Sequence, residues 1–197
     1  MISLLFLIQF AFAEDFIKES LYHTFERIES NECIYTGTGE SSKYYFNNAN
    51  EVKATFYKTD DCSGTGVTET ETPTNHGYKY MQTPKYVGFT VNDGTSNCKY
   101  EKYAQRTYYK EGCGKLTLNG MSVEFKKESD SLVLKNYKSG DCSGSPDKTV
   151  TIGQCDKCVT GEFNLLNFIK LKGSFYVQCG TVSQMILLIL ALILFFF

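Results

Sequence analysis

The chain has 197 residues, 20 Lys and Arg against 22 Asp and Glu, a formal charge of −2, eight cysteines and no tryptophan. Lys and Glu are scattered in mixed order, an ordinary solvated surface that excludes the basic footprint of a nucleic-acid binder. Two histidines and no second Cys-x-x-Cys exclude the common structural zinc patterns.

Residues 1–13 form an apolar run ending Ala11-Phe12-Ala13, followed at once by Glu14-Asp15. This is the small-x-small pattern of a secretory signal, which sets the expected mature start at Glu14. From Phe16 to Ile28 the pattern supports two readings. Ile17, Leu21, Phe25 and Ile28 share one helical face, whereas the matching region before Cys113, with Tyr103, Arg106, Tyr108 and Tyr109, is extended.

From Cys33 onward the pattern predicts strands. Lys43 to Phe46 and Val52 to Tyr57 flank a turn at Asn47 to Asn50, and Val52, Ala54 and Phe56 share a face. The second strand runs into Tyr57-Lys58-Thr59-Asp60-Asp61-Cys62-Ser63-Gly64. Eighty positions later the chain reads Tyr137-Lys138-Ser139-Gly140-Asp141-Cys142-Ser143-Gly144, identical at six of eight positions. The same offset carries Cys33 onto Cys113 with no gap, and self-similarity at a fixed period marks a duplicated unit. Asp61, Ser63 and Gly64, with Asp141, Ser143 and Gly144, are expected to build a tight turn that each cysteine ties down. A hard-cation site is the weaker reading, because neither copy has the closely spaced carboxylates of a calcium loop.

Thr68 to Thr74 alternates polar residues up to Pro73, as an edge strand or an O-glycosylated loop would. Tyr86 to Val91 follows as a strand, with a turn at Asn92-Asp93-Gly94 leading to Cys98. In the second copy Lys115 to Leu118 and Met121 to Lys126 flank Asn119-Gly120, a strong hairpin signal. Lys148 to Ile152 and Leu165 to Leu171 are further strands, with a turn at Lys172-Gly173 before Phe175 to Cys179.

All eight cysteines (Cys33, Cys62, Cys98, Cys113, Cys142, Cys155, Cys158 and Cys179) lie between the two terminal segments, so disulfides are expected. Cys33, Cys62 and Cys98 match Cys113, Cys142 and Cys179 in order. Bridges repeated in both halves are therefore expected, with Cys155 and Cys158 as additions. Cys155-Asp156-Lys157-Cys158 has the spacing of a redox motif, but Phe163 to Leu171 reads as a strand where a thioredoxin-like site needs a helix. No catalytic set, metal site or cofactor motif stands out. The many tyrosines are cross-strand partners or a recognition surface, and Tyr44, Tyr45, Tyr108 and Tyr109 are the candidate binding face.

Met185 to Phe197 is apolar throughout and about 20 Å long as a helix, short of roughly 30 Å of hydrocarbon. It reads as the signal for a glycosylphosphatidylinositol anchor, with Gly180 as attachment residue and Gly173 as the alternative; an uncleaved membrane-embedded tail is the rival. Gly180 keeps all eight cysteines, which suits an oxidised framework.

On Tyr-Lys-x-x-Asp-Cys-Ser-Gly and the downstream Gly153-Gln154-Cys155, the chain resembles the Asp-x-Cys-Ser-Gly cysteine repeats of secreted and surface proteins of unicellular eukaryotes such as amoebae. The resemblance implies a surface location and a β-rich fold, and carries no activity. Asn75 and Gly77 offer no counterpart to Cys155, so a Cys142–Cys155 bridge would lack a symmetric twin.

The expectation is thus a mainly β protein of two tandem antiparallel modules of about 80 residues, 14–97 and 98–180, disulfide-linked and free to pack as one pseudo-symmetric body, between a signal at 1–13 and a hydrophobic segment at 181–197. Its expected function is non-enzymatic: extracellular interaction or adhesion with a protein or glycan partner, from the outer leaflet of the plasma membrane. The alternatives are a thiol oxidoreductase using Cys155 and Cys158, and a secreted protease inhibitor.

Overall fold

A computed structural model describes residues 14–37, 39–49, 51–91, 98, 106–116, 120–166 and 169–180. The expected signal at 1–13, the segment 181–197 and the turn expected at Asn92-Asp93-Gly94 lie outside the described residues. The described chain is nearly all antiparallel strand. A hairpin of β1 (Glu14–Glu19) and β2 (Thr24–Ile28) comes first. The alternation that places Phe16 and Ile17 on opposite faces decides the ambiguous stretch in favour of strand, because each then finds its own apolar cluster.

A four-stranded meander follows: β3 (Cys33–Gly37), β4 (Glu40–Asn48), β5 (Glu51–Tyr57) and β6 (Val67–Thr70). β6, from the Thr-Glu run, is the exposed edge of that sheet. After the 3-10 turn Pro73–His76 come β7 (Lys79–Gln82) and β8 (Tyr86–Val91). Strand β9 (Arg106–Lys110) leads into a second meander of β10 (Gly112–Lys115), β11 (Ser122–Glu128), β12 (Ser131–Tyr137) and β13 (Lys148–Gln154). A long hairpin, β14 (Lys157–Leu166) and β15 (Ile169–Cys179), completes the described chain.

The remaining strands form one seven-stranded sheet in the order β14-β15-β8-β9-β2-β1-β7. It draws strands from both halves of the sequence. Strand β8 lies within residues 14–97 yet sits between β15 and β9, so hairpin-then-meander occurs twice, as β1–β6 and β8–β13. The two hairpin-and-meander units meet at β2 and β9 through Thr24↔Tyr109, Phe25↔Tyr108 and Glu26↔Thr107.

Alternation distributes the apolar side chains over both faces of the large sheet. On one face, Phe16 and Ile28 meet Ile34 and Val52 of the first meander, while Tyr109, Phe175 and Val177 meet Val123, Phe125, Leu132, Leu134 and Ile152 of the second. The opposite face carries a third cluster of Ile17, Phe25, Tyr86 and Tyr108. There the Arg27 guanidinium lies 4.8 Å from the Tyr108 ring centre and the Arg106 guanidinium 5.4 Å from that of Phe89. Arg106 is ion-paired with Glu32, and Arg27 with Glu29 and Asp15.

Two local expectations are corrected. Lys172-Gly173 is not a turn: both residues lie within β15, paired with Glu162 and Gly161, and the pairing runs on to Leu166↔Ile169. Glycine here marks a cross-strand pair rather than a reversal. The repeat also does not run without a gap. Cys33 faces Lys43 but Cys113 faces Glu124, one residue further on, while the first copy carries a bulge between Phe46 and Asn48 that β11 lacks. The two one-residue shifts cancel, so the eighty-residue offset is restored at Tyr57 and Tyr137.

Candidate functional site

The repeated octapeptide builds the same turn twice. In the first copy the Asp61 carboxylate accepts the Ser63 N–H at 3.1 Å and the Thr59 hydroxyl donates to the Ser63 carbonyl at 2.9 Å. In the second, Asp141 accepts the Ser143 N–H at 3.2 Å and its hydroxyl at 2.6 Å, and the Ser139 hydroxyl donates to the Ser143 carbonyl at 3.1 Å. Bonding to the Ser63 and Ser143 hydroxyls and N–H groups holds both carboxyls below the usual carboxylate range. Gly64 and Gly144 are left-handed, with φ of 84° and 80°. So are Cys62 and Cys142, at 57° and 56°, a conformation that non-glycine residues seldom adopt.

The residue that fixes each cysteine escaped sequence reading. Ser41 on β4 is buried, and its hydroxyl accepts the Cys62 N–H at 2.9 Å while donating to the Thr59 carbonyl at 2.7 Å. Ser122 on β11 does the same for Cys142 at 2.8 Å and the Ser139 carbonyl at 2.7 Å. These two serines are 81 positions apart, so an eighty-residue comparison passes them by. Ser122→Ala leaves a buried donor and acceptor unpaired and is expected to destabilise the fold by about 1–3 kcal/mol, read as a lower urea midpoint at unchanged slope. Ser41→Ala should show a similar loss.

The structure pairs all eight cysteines: Cys33–Cys62, Cys113–Cys142, Cys98–Cys158 and Cys155–Cys179. The first two are equivalent in the two copies, each spanning 29 residues and joining the first strand of a meander to its repeated turn. The other two break the symmetry. Cys98 and Cys179 match in sequence, yet they bond to Cys158 and Cys155 respectively. Cys155 and Cys158 thus belong to different bridges, and Cys142 is not joined to Cys155. The reason is the β14–β15 hairpin, which brings Asp156 against Val177 and Cys158 opposite Tyr176. Four disulfides are the mark of a secreted or extracellular protein.

The four candidate tyrosines do not form one face. Tyr44 and Tyr45 are adjacent on β4, as Tyr108 and Tyr109 are on β9, and neighbours on a strand point to opposite sides. Tyr108 and Tyr109 are 1% and 2% exposed and belong to different clusters of the core. The Tyr109 hydroxyl shares a 2.8 Å bond with Thr90, and burial pushes its pKa up to about 12. Tyr44 packs against the first-meander cluster, and burial raises its phenol. Only Tyr45 is exposed. Beside it, on the face of β4 and β5 away from the core, stand Lys43, Lys53, Tyr57 and the buried Thr55.

Gly173 and Gly180 also differ structurally. Gly173 lies within β15, upstream of the buried Phe175 and Val177 and of the bridged Cys179. Gly180 follows the strand at φ 110°, its N–H donated to the Val87 carbonyl at 3.0 Å.

His23, in the β1–β2 turn at φ 63°, lies against Gly114, where an added Cβ would come 2.1 Å from its ring. Its Nε2 is buried without a hydrogen-bond partner among the described residues, and burial, then the Lys110 charge, lowers its pKa. Below about pH 6.5 the unfolded chain therefore binds a proton that the folded chain refuses, and stability falls with pH. His23→Asn tolerates the backbone angle and should flatten the decline in melting temperature between about pH 7.5 and 5.

No family model matches the chain, and neither a curated protein nor a solved structure matches it.

Proposed function

We propose that the chain is a non-enzymatic cell-surface protein, attached to the outer leaflet of the plasma membrane through its C-terminal segment, that presents disulfide-tied β-sheets to an extracellular partner. The observation that carries this reading is the bridging of every cysteine, which fits a rigid scaffold for an oxidising environment. Division of Cys155 and Cys158 between separate bridges weighs against the thiol oxidoreductase alternative, because a dithiol redox site cycles between its own two sulfurs. The apolar, uncharged Met185 to Phe197 supports an anchor signal. Gly180 is favoured over Gly173 as the attachment residue, since a chain ending at Gly173 would lose Phe175, Val177 and Cys179 from the fold.

Treatment of intact cells with phosphatidylinositol-specific phospholipase C tests the anchor. Release of a protein whose last peptide ends at Gly180 is expected. Recovery of peptides containing Phe197 from the mature surface protein would refute it. Tight, stoichiometric inhibition of a protease by the released protein would favour the secreted-inhibitor reading instead.

A further inference from the structure

The two meanders share a backbone plan but not a solvent face, and the difference points to a ligand. In the second meander the outward face is internally neutralised. Glu124 accepts the Tyr137 hydroxyl at 3.0 Å and pairs with Lys126 at 2.9 Å, while Lys135 pairs with Glu128. In the first meander the place of Glu124, opposite the bridged Cys33 on the neighbouring strand, belongs to Lys43. That of Lys126 belongs to Tyr45, and that of Lys135, opposite Lys43, to Thr55. Tyr57 keeps the place of Tyr137, but with a cation where its counterpart has a carboxylate.

Among the described residues Lys43 has no ion-pair partner, whereas Lys53 is held by Glu51 at 3.1 Å. The face is therefore an exposed tyrosine, a second tyrosine on the neighbouring strand, one cation without an ion pair and the exposed threonines of the edge strand. Thr55 is buried and shares a 2.9 Å bond with Thr68, which with Thr70 is exposed on the edge strand. The Tyr57 ring is seated close to Gly66, where an added Cβ would lie 3.0 Å from it.

We infer that this face, centred on Lys43 between Tyr45 and Tyr57, binds a carboxylated sugar of an extracellular glycan. The inference deepens the proposed extracellular role and rests on it. A single cation complements one carboxylate per repeating unit, whereas a densely sulfated chain calls for a cluster of cations. Tyrosine supplies a rigid surface with a polar tip for the pyranose ring, and the threonines supply partners for its hydroxyls. A side-chain face away from the free edge suits a saccharide better than an acidic peptide, which would be expected to pair along the free edge of β6.

The test is titration of the full mature protein with oligosaccharides of a glucuronic-acid-containing polymer, with neutral N-acetylglucosamine oligomers and heparin fragments as comparators. The decisive variant is Lys43→Glu, which sets a carboxylate near Tyr57 as Glu124 stands near Tyr137; the position is on the outward face of β4, so the melting temperature should stay near that of the wild type. Binding to the glucuronate oligosaccharide is expected, weakened about tenfold or more in Lys43→Glu and also in Tyr45→Ala, with the neutral oligomers bound poorly. Equal binding of neutral and carboxylated oligomers, preference for heparin, no binding of the glucuronate series, or unchanged affinity in both variants would overturn the inference. Those outcomes leave the parent reading standing on phospholipase release, whereas retention of the Phe197 peptide defeats the anchor irrespective of the sugar titration.

Discussion

Replacing Cys98 and Cys158 together by serine is expected to lower the unfolding free energy by about 4 kcal/mol, the largest loss for any of the four bridges. The bridge joins positions 60 apart in sequence, against 29 for each meander bridge and 24 for Cys155–Cys179. In the chain-entropy model the constraint on the unfolded chain grows with loop length, so the shortest loop contributes about 3.5 kcal/mol. A protein of this size is stable by about 5–15 kcal/mol, so loss of the longest bridge leaves little margin. The bridge also fastens Cys98, 2% exposed, to β14 at the margin of the large sheet. Guanidinium unfolding of the four paired double-serine variants gives the order directly. A loss below about 1 kcal/mol for Cys98/Cys158, or a smaller loss there than for Cys155/Cys179, would contradict the loop-length account.

Phe25→Ala should cost about 3–5 kcal/mol, the range for removing a fully buried aromatic ring. Phe25 is 0% exposed and stacks on Tyr108 with ring centres 5.0 Å apart and planes 13° from parallel. Tyr86 meets the Phe25 ring edge-on at 6.0 Å. The position matters beyond its area because Phe25 and Tyr108 are the central pair of the three that join β2 to β9. A cavity there weakens the contact between the two hairpins as well as the cluster itself. Coincident loss of tyrosine fluorescence and strand circular dichroism in the wild type, and separation of the two transitions in Phe25→Ala, would identify this seam as what makes the halves unfold together. A loss under about 1 kcal/mol with coincident transitions would show the seam to be dispensable.

Much of this architecture was legible from the amino acids because its signals are local. Alternation in Val52-Lys53-Ala54 and in Met121 to Phe125 marks strands, and the doubled Asp-x-Cys-Ser-Gly marks two equivalent turns, since side-chain period and turn chemistry act over a few residues. The duplication pointed to bridges repeated in both copies, but which cysteines they join was not legible, and the structure assigns them to Cys33–Cys62 and Cys113–Cys142. The Tyr45 surface was half legible: an adjacent tyrosine pair is conspicuous, but on a strand its members face opposite ways, so Tyr44 went to the core and Lys43 and Tyr57 took the place beside Tyr45. The strand form of Thr24–Ile28 was undecided because an apolar spacing of three and four residues fits a helix until a neighbouring strand takes up the backbone hydrogen bonds.

The sequence alone determined the strand content, the doubled turn and the oxidised cysteine framework, each of which depends on contacts within one copy or between copies in register. Only the tertiary structure decided that β8 lies between β9 and β15, that Cys98 bonds Cys158 while Cys155 bonds Cys179, and that Ser41 and Ser122 hold the cysteine turns. These are pairings between segments far apart in the chain. They are selected by which apolar faces bury together and which buried N–H groups find an acceptor, and no short stretch of sequence records that choice.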